Sequence, residues 1–166
     1  MSAQPSRYLS TYLDDHLSGA TVALNRVRRS SRTFAGTPAG DVLAPIAEQL
    51  EDEREFLVAT AERLGVHVSR YKLAGAWVAE RVGRLKPNGH VRGPSPLSAL
   101  LEVELLRGGV TAKASLWDAL DELADAGVEG IDRTRVAVFR RQADEQVASL
   151  TALAARLRRP VLGGRD

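Results

Sequence analysis

The chain has 166 residues, no cysteine and a formal net charge of only +2. One domain with one core is expected at this length, and the missing thiols exclude a disulfide framework, a thiolate zinc site and a cysteine nucleophile. The pI near 9.3 reflects many arginines set against many carboxylates rather than a polycation, so no nucleic-acid partner is expected.

The first element is an amphipathic helix over about residues 6–29. Its apolar stripe reads Leu9, Leu13, His16, Ala20, Leu24 and Val27, at alternating steps of three and four. Arginines 26, 28 and 29 crowd its last turns, where cations suit the helix dipole. A loop rich in Ser, Thr and Gly follows, and a second helix is expected over about 41–64. Its stripe is Leu43, Ile46, Leu50, Glu53, Leu57, Ala61 and Leu64, and Gly65 is placed to end it.

A shorter helix is expected over about 70–85, with Ser69 as its cap and Trp77 on its apolar side. Pro, Gly and Asn then break any regular structure up to Pro96. Ser95 caps a long fourth helix over about 96–126, with Pro96 at its first position. This helix is apolar on two sides. One stripe is Leu97, Leu101, Glu104, Leu105, Gly108, Ala112 and Leu116; the other is Leu100, Val103, Leu106, Val110, Lys113, Trp117 and Leu120. The small residues Gly108, Gly109 and Ala112 read as permitting close helix approach or a bend. A fifth helix is expected over about 132–158, capped by Asp132 and stopped by Pro160. Its stripe is Val136, Phe139, Ala143, Gln146, Leu150, Leu153 and Leu157. The expected core includes Leu13, Leu50, Leu57, Leu101, Trp117, Phe139 and Leu150.

Two hairpins of long helices are thus joined by one connection of about thirty residues, where roughly 2–8 is usual between bundle neighbours. The fold expected for residues 1–166 is a single all-α domain: an up-down-down-up four-helix bundle with a short fifth helix in the crossover. Each long helix carries one polar residue on its stripe: His16, Glu53, Glu104 and Gln146, with Glu145 beside the last. Buried polar groups need partners. Two readings follow. In one, His16, Glu53, Gln146 and Lys113 form a buried hydrogen-bond network. In the other, His16, Glu53, Glu104 and Glu145 hold a divalent metal, since a histidine with carboxylates in open geometry suits one. No other cofactor is indicated. His67 and His90 fall on connections and are given no role.

This helix order, with polar residues midway along the stripes, resembles the ferritin-like four-helix superfamily over about residues 6–158. Di-iron members take a Glu from each of two helices and a Glu-x-x-His from each of the other two. No Glu-x-x-His occurs in this chain. Glu53 and Glu104 are the carboxylates that carry over. His16 stands where a carboxylate belongs, near Asp14 and Asp15, and the last helix offers Gln146 or Glu145. The resemblance implies a ferritin-like scaffold with an altered or lost iron site.

The function expected is that of a non-catalytic bundle acting by binding or by self-association into a homo-oligomer. One alternative is a metal-binding or vestigial di-iron-type oxidoreductase, and the other is a small-molecule-binding bundle. No apolar run approaches the roughly 18 residues of a membrane span. The first residues lack the apolar core of a signal peptide. A cytoplasmic protein without a membrane partner is therefore expected.

Overall fold

The computed structural model describes residues 6–66 and 95–163. Among these residues there are four long helices and no strand: α1 (Arg7–Thr33), α2 (Pro38–Arg63), α3 (Pro96–Asp125) and α4 (Arg133–Leu162). None of them is long and apolar enough to cross a membrane. The short helix expected over 70–85, with Ser69, Trp77, His67 and His90, lies outside the described residues.

Local chemistry sets most of the helix ends. Ser95 accepts a hydrogen bond from the Ser98 N–H with Pro96 at the first helical position, and Asp132 accepts one from the Arg135 N–H. Ile131 and Val136 bracket the start of α4 at the spacing of a hydrophobic staple, Val136 fully buried and Ile131 partly buried against the core. Gly65 and Gly127 follow α2 and α3 with positive φ of 75° and 86°.

Three ends differ from expectation. α2 begins at Pro38, capped by Thr37, so Pro45 lies inside the helix. Pro160 lies inside α4, which continues to Leu162. Both prolines deprive an exposed residue of a helical donor, Asp41 and Arg156 respectively, and exposed carbonyls are satisfied by water. α1 runs a turn beyond Arg29, because tertiary contacts hold that turn. Arg26 grips Glu102 of α3 with two bonds of 2.7 and 2.6 Å, and buried Ser30 donates to the same carboxylate at 3.2 Å. Arg28 pairs with Glu51 of α2. The α1–α2 turn is tight: a Cβ on Gly40 would sit 2.3 Å from the Phe34 carbonyl oxygen, so only glycine fits there.

The helices pack as two hairpins, α1 on α2 and α3 on α4, with sparser contact between α1 and α3 and between α2 and α4. Cross-contacts give the directions. Arg26 and Tyr12 of α1 meet Glu102 and Ser115 of α3, so those two helices are antiparallel. Gln49 and Arg63 of α2 meet Gln146 and Gly130, so α2 and α4 are antiparallel as well. It follows that α2 and α3 run the same way, in the order up, down, down, up.

The core takes in Leu13, Leu50, Leu57, Trp117, Phe139 and Leu150 as expected. Leu101 is a correction: it is 51 % exposed, with Leu97 and Leu105 beside it on the same outward face. α3 turns its other stripe inward, so that Leu100, Val103, Leu106, Val110, Trp117 and Leu120 are buried. That stripe carries bulk along its whole length, whereas the Leu101 stripe thins to Gly108 and Ala112. Burying the fuller stripe removes more apolar area from water. It also delivers Trp117 to Phe56 and Phe139, with ring centroids 6.1 and 5.3 Å away.

Candidate functional site

The polar layer is built by α2, α3 and α4. Glu53 is 2 % exposed and Gln146 is equally buried. Lys113 reaches across from α3, donating to Glu53 Oε2 and to Gln146 Oε1 at 2.6 Å. Gln146 Nε2 donates to Glu53 Oε1 at 3.0 Å and to Gln49 Oε1 at 2.9 Å, while Gln142 Nε2 reaches Glu53 Oε1 at 2.7 Å. Lys113 is the inward residue of the stripe that α3 buries. A buried carboxylate requires a cation or several donors, and here Glu53 has both. Gln49 and Gln142 were not singled out from sequence, yet each lies four residues before a layer residue on the same helix face, which is the signal that finds them.

Burial depresses the Lys113 ammonium below the usual lysine value, while the charge and hydrogen bond of Glu53 pull it back up. Two of its three N–H bonds are spent on Glu53 and Gln146.

The four candidate metal ligands are not brought together in this geometry. Among the described residues no three His, Asp or Glu side chains are grouped so as to hold an ion. Glu104 lies on the outward stripe of α3 and accepts from Arg158 at 2.8 and 3.1 Å. Arg158 is twelve residues beyond Gln146 on α4, about 18 Å at 1.5 Å per residue. Glu145 is exposed. A lysine ammonium against Glu53 also opposes a dication electrostatically.

His16 does not join the hydrogen-bonded layer. It is half-buried, its ring 4.5 Å from that of Tyr12, and with Glu53 and Lys113 it lines a cavity of about 290 Å³ between α1, α2 and α3. The walls are aliphatic: Leu50, Leu57, Leu106, Val110 and Leu116. Gly19 and Gly109 are exposed at its edge, and a Cβ on either would meet nothing within 4 Å. The small residues of α3 therefore do not bring helices together, as their sequence pattern implied. With Gly19, Ala20 and Ala23 of α1 they leave a gap along the sparse α1–α3 seam. Trp117 also lines the cavity. It is 1 % exposed, and its indole N–H meets no acceptor among the described residues.

Burial lowers the His16 pKa from its ordinary 6.5, with Asp15 opposing the shift. The unfolded chain therefore takes up a proton that the folded chain resists. Stability contributed at this position is complete above pH 6.5 and is lost as the pH falls through that value toward the lowered one. In denaturant titrations from pH 8 to 5, His16→Gln is expected to gain on wild type only below about pH 6.5. A difference independent of pH would show that His16 titrates as an exposed histidine does.

No protein-family model and no solved structure matches the chain. It is similar to uncharacterized protein Rv2915c of Mycobacterium tuberculosis and uncharacterized protein Mb2939c of Mycobacterium bovis, each 31 % identical over 121 residues. The match covers 72 % of this chain, and the chain spans 30 % of the length of those curated relatives.

Proposed function

We propose that the chain is a non-catalytic helical bundle that binds a small molecule in the cavity between α1, α2 and α3. The observation that supports this is the juxtaposition of an apolar chamber with a polar floor. Ligand sites are mostly apolar concavities of roughly 300–1,000 Å³ with a few convergent polar groups, often between the helices of a bundle. The chamber lies at the small end of that range, and His16, Glu53 and Lys113 are polar residues that line it beside the aliphatic walls. The antiparallel hairpins and the parallel pair α2–α3 support a ferritin-like ancestry. In this reading the ammonium of Lys113 has taken the place of a metal in the interior layer, and space once filled by side chains or ions serves a ligand.

The test fills the chamber from its edge. Gly109→Leu adds its side chain where a Cβ meets nothing, and replacing a helical glycine with a better helix former contributes up to about 1 kcal/mol. The variant is expected to melt at or above the wild-type temperature. Naphthalene, a two-ring apolar probe, is expected to raise the melting temperature of wild type and not of the variant. A probe at a hundred times its Kd stabilises by about 2.7 kcal/mol, well within reach of a thermal shift. Wild type that gains nothing from naphthalene or from smaller one-ring probes would overturn the reading.

A further inference from the structure

The two ends of the bundle differ in charge. α1 and α4 end where α2 and α3 begin. The last two turns of α1 and of α4 carry six arginines, Arg28, Arg29, Arg32, Arg156, Arg158 and Arg159, and no carboxylate. Arg28 pairs with Glu51 and Arg158 with Glu104. Arg29, Arg32, Arg156 and Arg159 are exposed and have no carboxylate partner among the described residues, against the exposed and likewise unpaired Asp41 and Glu48 of α2. At the opposite end the charges are matched: Arg133 pairs with Asp121 and Asp125, and Arg140 with Asp118 and Asp144.

The basic end is also the apolar one. Six large apolar side chains are exposed among the described residues, and four of them are here: Leu97, Leu101 and Leu105 on the outward face of α3, and Leu162 at the end of α4. The α3 stripe is about 12 Å long at 1.5 Å per residue. Two ion pairs frame it, Glu104 with Arg158 of α4 on one side and Glu102 with Arg26 of α1 on the other. The helix dipole accounts for basic last turns, but not for leucines left in water between them.

The two properties together select the partner. A second copy of the chain would set unpaired arginines against arginines across a symmetric contact. A nucleic acid would engage the arginines through its phosphates and leave the leucines in water. An anionic bilayer uses both. Leucines enter the boundary between headgroups and acyl chains, roughly 5–10 Å deep, while arginines meet lipid phosphates and rest their stems on the apolar zone. None of the four helices is long and apolar enough to cross a membrane, but lying on one requires no span.

Independently of the cavity reading, we infer that the basic end of the bundle is a peripheral membrane-binding surface for anionic lipid. Leu97, Leu101, Leu105 and Leu162 insert, and the unpaired arginines of α1 and α4 supply the attraction to headgroup phosphates.

Co-sedimentation of the full chain with vesicles tests this, using equal parts phosphatidylglycerol and phosphatidylcholine beside phosphatidylcholine alone. Wild type is expected to bind the anionic vesicles, to bind them less as salt rises, and to bind phosphatidylcholine at least tenfold more weakly, roughly the factor that two arginines contribute. Leu101→Gln/Leu162→Gln is expected to lower the affinity at least about tenfold, and Arg32→Gln/Arg159→Gln about fivefold for each arginine. All four residues are exposed, so both variants are expected to melt with wild type. The chain has no cysteine of its own, so an environment-sensitive dye on Leu97→Cys reports which end inserts. Its emission is expected to shift to the blue on anionic vesicles, and that of the same dye on Val138→Cys, exposed at the opposite end, is expected to stay. Absence of binding to anionic vesicles would overturn the inference, as would a blue shift at Val138 and not at Leu97. Binding undiminished in the leucine variant would overturn it in favour of attraction by charge alone. A leucine variant that melts well below wild type would overturn it because those leucines would already be covered within the chain. Tighter binding of a duplex oligonucleotide than of vesicles at equal salt would overturn it in favour of nucleic acid. A dimer that the leucine variant dissociates, with no vesicle binding, would overturn it in favour of self-association. None of these outcomes bears on naphthalene binding in the cavity.

Discussion

Lys113→Met is expected to destabilise the bundle by about 3–5 kcal/mol, the cost of leaving one member of a buried ion pair without its partner. Glu53 is almost completely buried, and the Lys113 ammonium contacts it. Gln142 and Gln146 still donate to the carboxylate in the variant, but amide donors do not cancel its charge. Glu53→Gln leaves the mirror-image problem, a desolvated ammonium, and is expected to cost a comparable amount unless Lys113 sheds its proton. From sequence this substitution reads as modest, because hydrogen bonding is kept; direct contact with Lys113 makes the charge matter.

The double variant Glu53→Leu/Lys113→Met separates pairing from packing. Buried pairs replaced by apolar residues of similar volume are often neutral or better, so the double variant is expected to recover most of the single-variant loss. The glutamines limit the recovery, since Gln142 loses its acceptor. Equilibrium denaturation of the four proteins gives the coupling energy directly. Additive losses, with coupling below about 0.5 kcal/mol, would mean that the two side chains do not interact as described.

The second large effect separates neighbouring leucines. Leu100→Ala is expected to cost about 2–5 kcal/mol, as a leucine-sized hole in a packed bundle relaxes only partly. Leu101→Ala is expected to stay within about 0.5 kcal/mol, the range of surface changes. Leu100 is 2 % exposed and Leu101 is 51 % exposed. The reverse order in a denaturation experiment would mean that α3 is rotated by one residue from the orientation described.

Helix α2 carries its own local start signal four residues before the expected start at 41. Thr37–Pro38 carries the same cap-and-proline chemistry as Ser95–Pro96, and it opens the helix in the same way. Pro45 is tolerated inside the helix because the carbonyl it leaves without a donor, that of Asp41, belongs to an exposed residue. The last turn of α1 had no such local signal. Arg26 and Ser30 hold it through Glu102, more than seventy positions away in the chain.

The sequence by itself determined the four long helices, their caps and the presence of Glu53 and Gln146 on buried stripes. Those properties arise within one or two turns of chain: a hydroxyl before a proline, a glycine at positive φ, an apolar residue every three or four. Tertiary structure alone decided the facing of α3. Leu100 and Leu101 differ by about 100° around the helix axis, and both belong to continuous apolar stripes, so periodicity does not choose between them. The choice depends on what the other helices present: Phe56 and Phe139 for Trp117, and an uncompensated carboxylate at Glu53 for Lys113. The same rotation sends Glu104 to Arg158 and sets the glycines of α3 beside the small residues of α1. A chamber formed where small residues of two helices face each other is a property of the pair, and neither helix specifies it alone.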